Sequence, residues 1–190
     1  MHRHQIIIFS LFFFYFNIAY GQENTFSKNH IQLEAADIDV DINGSGAILE
    51  GEGFHLKAGI ELSPEFYLLI KHLDGELEDS IDFTHTEAGL GYIIQKNDDK
   101  SIFVEFYVGS IDMAGTIDLD TYSIKFIDQE KLNKYFHVEG YISFTDYEKK
   151  SDFHIGGTAR YMITKNANIF LNADFGDIVE VLSVGTKINF

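Results

Sequence analysis

The sequence predicts an all-β fold: a closed antiparallel up-and-down transmembrane β-barrel of about ten strands. Three observations predict it. From residue 45 onward, apolar and polar residues alternate with period two, as in strands with two unlike faces. Turn-forming residues interrupt the alternation at regular intervals. The second face carries glycine and charges of both signs, which suits a narrow polar interior better than a soluble surface.

The alternation is clearest in five segments. Phe54, Leu56, Ala58, Ile60 and Leu62 share one face, against His55, Lys57, Gly59 and Glu61. Ile102, Val104, Phe106 and Val108 oppose Phe103, Glu105 and Tyr107. Phe136, Val138, Gly140, Ile142 and Phe144 oppose His137, Glu139, Tyr141 and Ser143. Phe153 to Ile163 repeats the pattern, and Leu182 to Phe190 ends the chain with it. Strands are expected near 30–41, 48–62, 66–75, 80–95, 101–113, 117–127, 134–146, 152–163, 168–175 and 179–190. Ten is an even number, which returns both ends to one side of the barrel. Eight strands would result if residues 115–133 formed a folded loop. Short turns are expected at Ser63-Pro64-Glu65, Asn97 to Lys100 and Lys165 to Asn168, with acidic connections at Asp74–Asp82, Asp112–Asp120 and Asp146–Asp152.

The first 21 residues read as a separate element. Met1-His2-Arg3-His4 is basic, Gln5 to Phe16 is apolar, and Ala19-Tyr20-Gly21 offers small residues at a cleavage spacing. These are the three parts of a secretory signal peptide. Residues 22–190 then form one domain. Without Arg3 the remaining chain has 13 basic and 30 acidic side chains, a net charge of −17. That balance excludes nucleic acid, whose phosphates require Lys and Arg. The absence of cysteine excludes a disulfide framework. One proline, 18 Phe and 10 Tyr make a strand-rich composition.

Phase places Lys57, Lys71, Arg160 and Lys187 on the inner face with Glu61, Glu87, Glu105, Glu139 and Asp174, where they are expected to form an ionic network. Gly59, Gly89, Gly91 and Gly156 share that face. With no Trp, interfacial girdles fall to Tyr67, Tyr92, Tyr135, Tyr147 and Phe170. Two His-x-Glu pairs, His85/Glu87 and His137/Glu139, also point inward; such pairs can serve acid–base or metal chemistry. They are expected to fill the lumen, so no catalytic residue is assigned and the chain is expected not to be an enzyme. Asp39 to Glu50 matches a calcium-loop pattern, with Asp39, Asp41, Asn43 and Glu50 as oxygen ligands and Gly44 at the bend. Its flanks are strands rather than helices, so an acidic surface connection is the competing reading.

The last eight residues, Ser183-Val184-Gly185-Thr186-Lys187-Ile188-Asn189-Phe190, resemble the C-terminal signal of bacterial outer-membrane barrels at Ser183, Gly185, Ile188 and Phe190. Gly51 to Leu68 and Thr158 to Asn166 resemble the strand–turn–strand units of small porin-family and OmpA-like barrel domains. The resemblance implies residence in the outer membrane of a Gram-negative bacterium as a monomer. It further implies contact with outer-membrane lipid and lipopolysaccharide, and recognition of the last strand by the barrel-assembly machinery. Such barrels serve as pores, adhesins, stability factors or lipid-modifying enzymes, so fold alone does not choose a function. A structural or interaction role, or a very narrow pore, is the expected one. The alternatives are an outer-membrane lipid-modifying hydrolase using the His/Glu pairs, and a secreted soluble β-barrel ligand carrier.

Overall fold

The computed structural model describes residues 26–41, 48–114, 117–148 and 150–190. The proposed signal peptide lies outside them. Ten antiparallel strands close into a barrel in which sequence neighbours pair throughout. They are β1 (His30–Val40), β2 (Leu49–Glu61), β3 (Phe66–Leu77), β4 (Ile81–Lys96) and β5 (Lys100–Met113). They continue as β6 (Ile117–Lys131), β7 (Phe136–Asp146), β8 (Ser151–Met162), β9 (Ala167–Phe175) and β10 (Val179–Asn189). Closure is made by β1 on β10, in register from His30↔Asn189 to Val40↔Val179. Every ladder is thereby satisfied inside the sheet, the condition for a strand structure to lie in lipid.

The described part of the stretch expected as a possible folded loop, residues 117–133, is not one. These residues contribute β6, because Tyr122, Ile124 and Phe126 alternate outward against Thr121, Ser123, Lys125 and Ile127. The acidic connections overlap the strand ends, as the expected strand bounds had it for all of the following carboxylates but Glu76. Asp74 and Glu76 belong to β3, Asp82 to β4, Asp112 to β5, Asp118 and Asp120 to β6, and Asp146 to β7. Carboxylates at alternate positions look like loop residues by composition, but their spacing is that of an outward-facing, hydrated strand end.

Two zones of opposite sense follow along the barrel axis. At the end that carries both chain ends, and through the middle, apolar side chains point out. Phe54, Leu56 and Ile60 on β2, Phe136, Ile142 and Phe144 on β7, and Leu182 and Val184 on β10 form part of an exposed apolar belt. At the far end the sense reverses. Asp37, Glu52, Glu76 and Asp82 stand directly opposite one another across β1 to β4, all outward. Like charges in direct cross-strand contact are unfavourable, and in hydrocarbon they would be prohibitive, so this end stands in water. Inside the same end, Ile38, Val40, Leu73, Leu77, Phe83, Ile111, Met113, Tyr147 and Val179 pack into an apolar core. The lumen is therefore not polar along its whole length, as the uniform reading of the alternation implied.

Candidate functional site

The lumen is built in layers, each from inward positions of several strands. Nearest the chain ends, Tyr67, Ile93, Phe103, Ile127 and Tyr141 form an aromatic and aliphatic layer, with Leu69 against it. Tyr67 and Phe103 meet edge to face at 6.2 Å between centroids. Three tyrosines lie where glycines make room. Gly91 is the direct cross-strand partner of Tyr67, Gly89 of Tyr107 and Gly156 of Tyr141. A methyl group at any of the three would collide with the facing ring. Gly91→Ala is accordingly expected to destabilise the barrel by about 1–3 kcal/mol, the usual cost of overpacking. Gly140→Ala is the control, because a Cβ there meets nothing within 4 Å. Urea unfolding in detergent compares the two; equal midpoints would contradict the packing described.

Ionic groups lie beyond this layer and, for Arg160 and Glu139, beside it toward the mouth. Lys57 Nζ is 2.7 Å from Glu34, which also accepts hydrogen bonds from Gln32 at 2.6 Å and from Ser183. Lys71 donates to Glu87 at 3.2 Å across the β3–β4 register, and Ser123 donates to the other oxygen at 3.2 Å. Arg160 Nη2 donates to Glu139 at 2.9 Å. Glu105 accepts the hydroxyls of Tyr67, at 2.7 Å, and Tyr107. His154 lies 3.2 Å from Asp152 and 3.4 Å from Asp174. Both Asp152 oxygens also accept backbone N–H groups, from Asp177 and Ile178 at 2.8 Å, which ties down the β9–β10 connection.

The residues expected inside are thus all on the inner wall, but they do not form one continuous network. Lys57, Lys71 and Arg160 have carboxylate partners, Glu61 pairs at the mouth with Lys96 at 3.3 Å, and Lys187 makes no ion pair among the described residues. Glu34 and Lys125 were missed by sequence reasoning. The alternation of Leu33 and Ala35 around Glu34, and of Ile124 and Phe126 around Lys125, carried the signal for both. Lys28 precedes the first strand, so phase could not place it. Its Nζ enters the mouth of the barrel 3.3 Å from the Phe103 ring centroid and 4.6 Å from that of Tyr67. Loss of water around this ammonium lowers its pKa to about 8, with Glu105 and Glu139 acting in the opposite direction.

The girdle expectation holds only in part. Tyr92 packs on Phe66 and Tyr135 on Tyr161, on the outer surface. Tyr67, Tyr147 and Phe170 are buried inside. The flanking residues explain two of them: Phe66 and Leu68 enclose Tyr67, and Ile169 and Leu171 enclose Phe170, so each aromatic takes the inner phase.

His85 lies inside, 3.9 Å from Glu87, and His137 is buried at the mouth near Phe26. Asp39 and Glu50 face each other across β1 and β2, Asp41 follows at the strand end, and Asn43 lies outside the described residues. Among the described residues no group of three His, Asp or Glu side chains is arranged to hold a metal ion. Ser183 is buried on the inner wall and Gly185 faces inward against Phe170 and the Leu33 carbonyl. Ile188 and Phe190 take the outer phase, and Phe190 N–H donates to the Asn29 carbonyl at 3.0 Å.

A closed antiparallel barrel with an outward apolar belt and charged groups paired within it defines an outer-membrane β-barrel. No protein-family model and no curated protein matches the chain. Among solved structures it is similar to the KdgM porin, with a TM-score of 0.50 and 13% identity over 84% of this chain and 99% of that one. It is similar also to the NanC porin (0.47, 8%, 84% and 100%) and to Neisserial surface protein A (0.45, 12%, 86% and 98%). At such identities the likeness is one of fold.

Proposed function

We propose that the protein is a closed barrel of the Gram-negative outer membrane, with a structural or interaction role and no through-going channel. The observation that carries this reading is the filling of the lumen. An apolar core lies inside the far end, a second apolar cluster lies toward the termini, and ion pairs with tyrosines occupy the space between; together these are read as closing the lumen. A small barrel can be filled by its own side chains in this way. The described connections between strands are short, so partners would meet the barrel wall and its acidic outer end. His85 and His137 face the lumen rather than lipid, which favours a non-enzymatic role over lipid hydrolysis. The apolar belt disfavours a soluble carrier. Embedded in outer-membrane lipid and lipopolysaccharide, the barrel acts as a monomer. Ser183, Gly185, Ile188 and Phe190 form the signal presented to the barrel-assembly machinery.

Fractionation tests residence and closure of the barrel. The mature protein should sediment with outer membranes and run faster on an SDS gel unheated than boiled, at a position for one chain, because a fully paired barrel resists detergent until heated. Recovery from the soluble periplasm, or identical mobility before and after boiling, would overturn the reading.

A further inference from the structure

The residues just before β1 turn back across the mouth at which both described chain ends lie. Phe26, Ser27 and Lys28 are buried there. The Lys28 carbonyl lies against Gly59 on β2, where an added Cβ would stand 2.5 Å from it. Phe26 packs on His137 of β7, with 6.2 Å between ring centroids. β2 and β7 are five strands apart whichever way round the ring is counted, so these contacts lie on opposite walls. Between them the Lys28 ammonium sits on the rings of Phe103 and Tyr67, from β5 and β3.

This segment is held differently from the wall. Asn29 is fixed, because its side-chain oxygen accepts the Glu61 N–H at 2.8 Å and its carbonyl accepts the Phe190 N–H. Beyond it, Phe26, Ser27 and Lys28 hydrogen-bond, among the described residues, only to Asn29 and His30. No strand ladder passes through them, so they can leave by a local opening that breaks no sheet bond. The rim carries a second sign. Ser101, His137, Asn168 and Asn189 are the inward residues nearest the mouth on β5, β7, β9 and β10, and all four are buried. The side-chain oxygens of Ser101, Asn168 and Asn189 have no hydrogen-bond partner among the described residues. Burial of such groups is unfavourable, which opposes the covered state and favours release.

We propose that Phe26–Asn29 is a strap that locks this mouth, with the Lys28 ammonium on Phe103 and Tyr67 as its bolt and Asn29 as its hinge. Seated, it covers the rim. Released, it uncovers the rim while the barrel stays closed on itself. The proposal rests on the closed-lumen reading, since the strap lies over the apolar layer at that end.

The test uses thiol labelling, which is clean because the chain has no cysteine. Ser27→Cys marks the strap and Ser101→Cys marks the rim. Each purified mature barrel is treated in detergent with a charged maleimide, and unheated gel mobility confirms that it is folded. Both cysteines should react at least about tenfold more slowly than in urea-unfolded chain. Adding Lys28→Ala should speed both by about tenfold, the population shift expected when a desolvated cation–π contact is removed. Gly59→Ala leaves the ammonium intact but crowds the Lys28 carbonyl, and should also speed both; it supplies the readout if Lys28→Ala does not fold. Labelling of Ser27→Cys at the unfolded rate in the otherwise wild-type barrel would overturn the proposal. So would a rate that neither substitution changes, or a rim that stays protected once the strap reacts. Failure of the closed lumen shows instead as current across a bilayer, so a barrel that carries none but labels fast at Ser27→Cys loses the strap alone.

Discussion

Replacing Arg160 with alanine is expected to destabilise the folded barrel by about 3–5 kcal/mol, the usual cost of stranding one partner of a buried ion pair. Arg160 is buried on β8, and its Nη2 donates to Glu139 on β7 at 2.9 Å. Alanine removes the cation but leaves Glu139 in a lumen with little water to replace it. The loss should be partly recovered by adding Glu139→Gln, since the double variant no longer holds an unpaired charge. Asp98→Ala, in the exposed turn between β4 and β5, should change stability by less than about 0.5 kcal/mol. Urea titration in detergent, followed by circular dichroism because the chain has no Trp, separates these outcomes. An Arg160→Ala midpoint equal to wild type would show that the pair contributes nothing.

Deletion of Phe190, or Phe190→Asp, is expected to reduce folded barrel in the outer membrane to a small fraction of wild type while export continues. The structure separates this effect from ordinary packing. The Phe190 side chain faces outward beyond β10 and is 60% exposed, and its backbone N–H makes one hydrogen bond, to Asn29. Its removal should cost the purified barrel little, about the 0.5–1.5 kcal/mol of one such bond. A variant that refolds well in detergent but fails to assemble in cells would identify Phe190 as part of the assembly signal. Wild-type levels in the membrane would remove it from that role.

Much of the fold was legible in the sequence because period two is a direct imprint of a two-faced strand. Phase alone put Lys57, Lys71, Glu87, Glu105, Glu139, Arg160 and Asp174 on the inner wall. Phase does not say which charges meet. Glu105 lies across from Lys125 yet accepts two tyrosines, because Gly89 and Gly91 let those rings lie flat against the wall. The inverted far end was hidden for a different reason. Runs such as Asp118-Leu119-Asp120 read as acidic loop by composition, while their alternation with buried apolar residues marks a barrel end that has left the bilayer. Lys28 was beyond any periodic argument, since its place depends on the chain folding back into the mouth before β1 begins.

The central claim is that the lumen is closed, and electrical conductance across a planar bilayer tests it most directly. Purified wild-type barrel, inserted at single-molecule density, should give little or no steady current in either polarity. On this reading the apolar clusters that include Phe83 and Met113 at one end and Tyr67 and Phe103 at the other close the lumen. A large, stable, porin-like conductance from the wild-type protein would contradict the account.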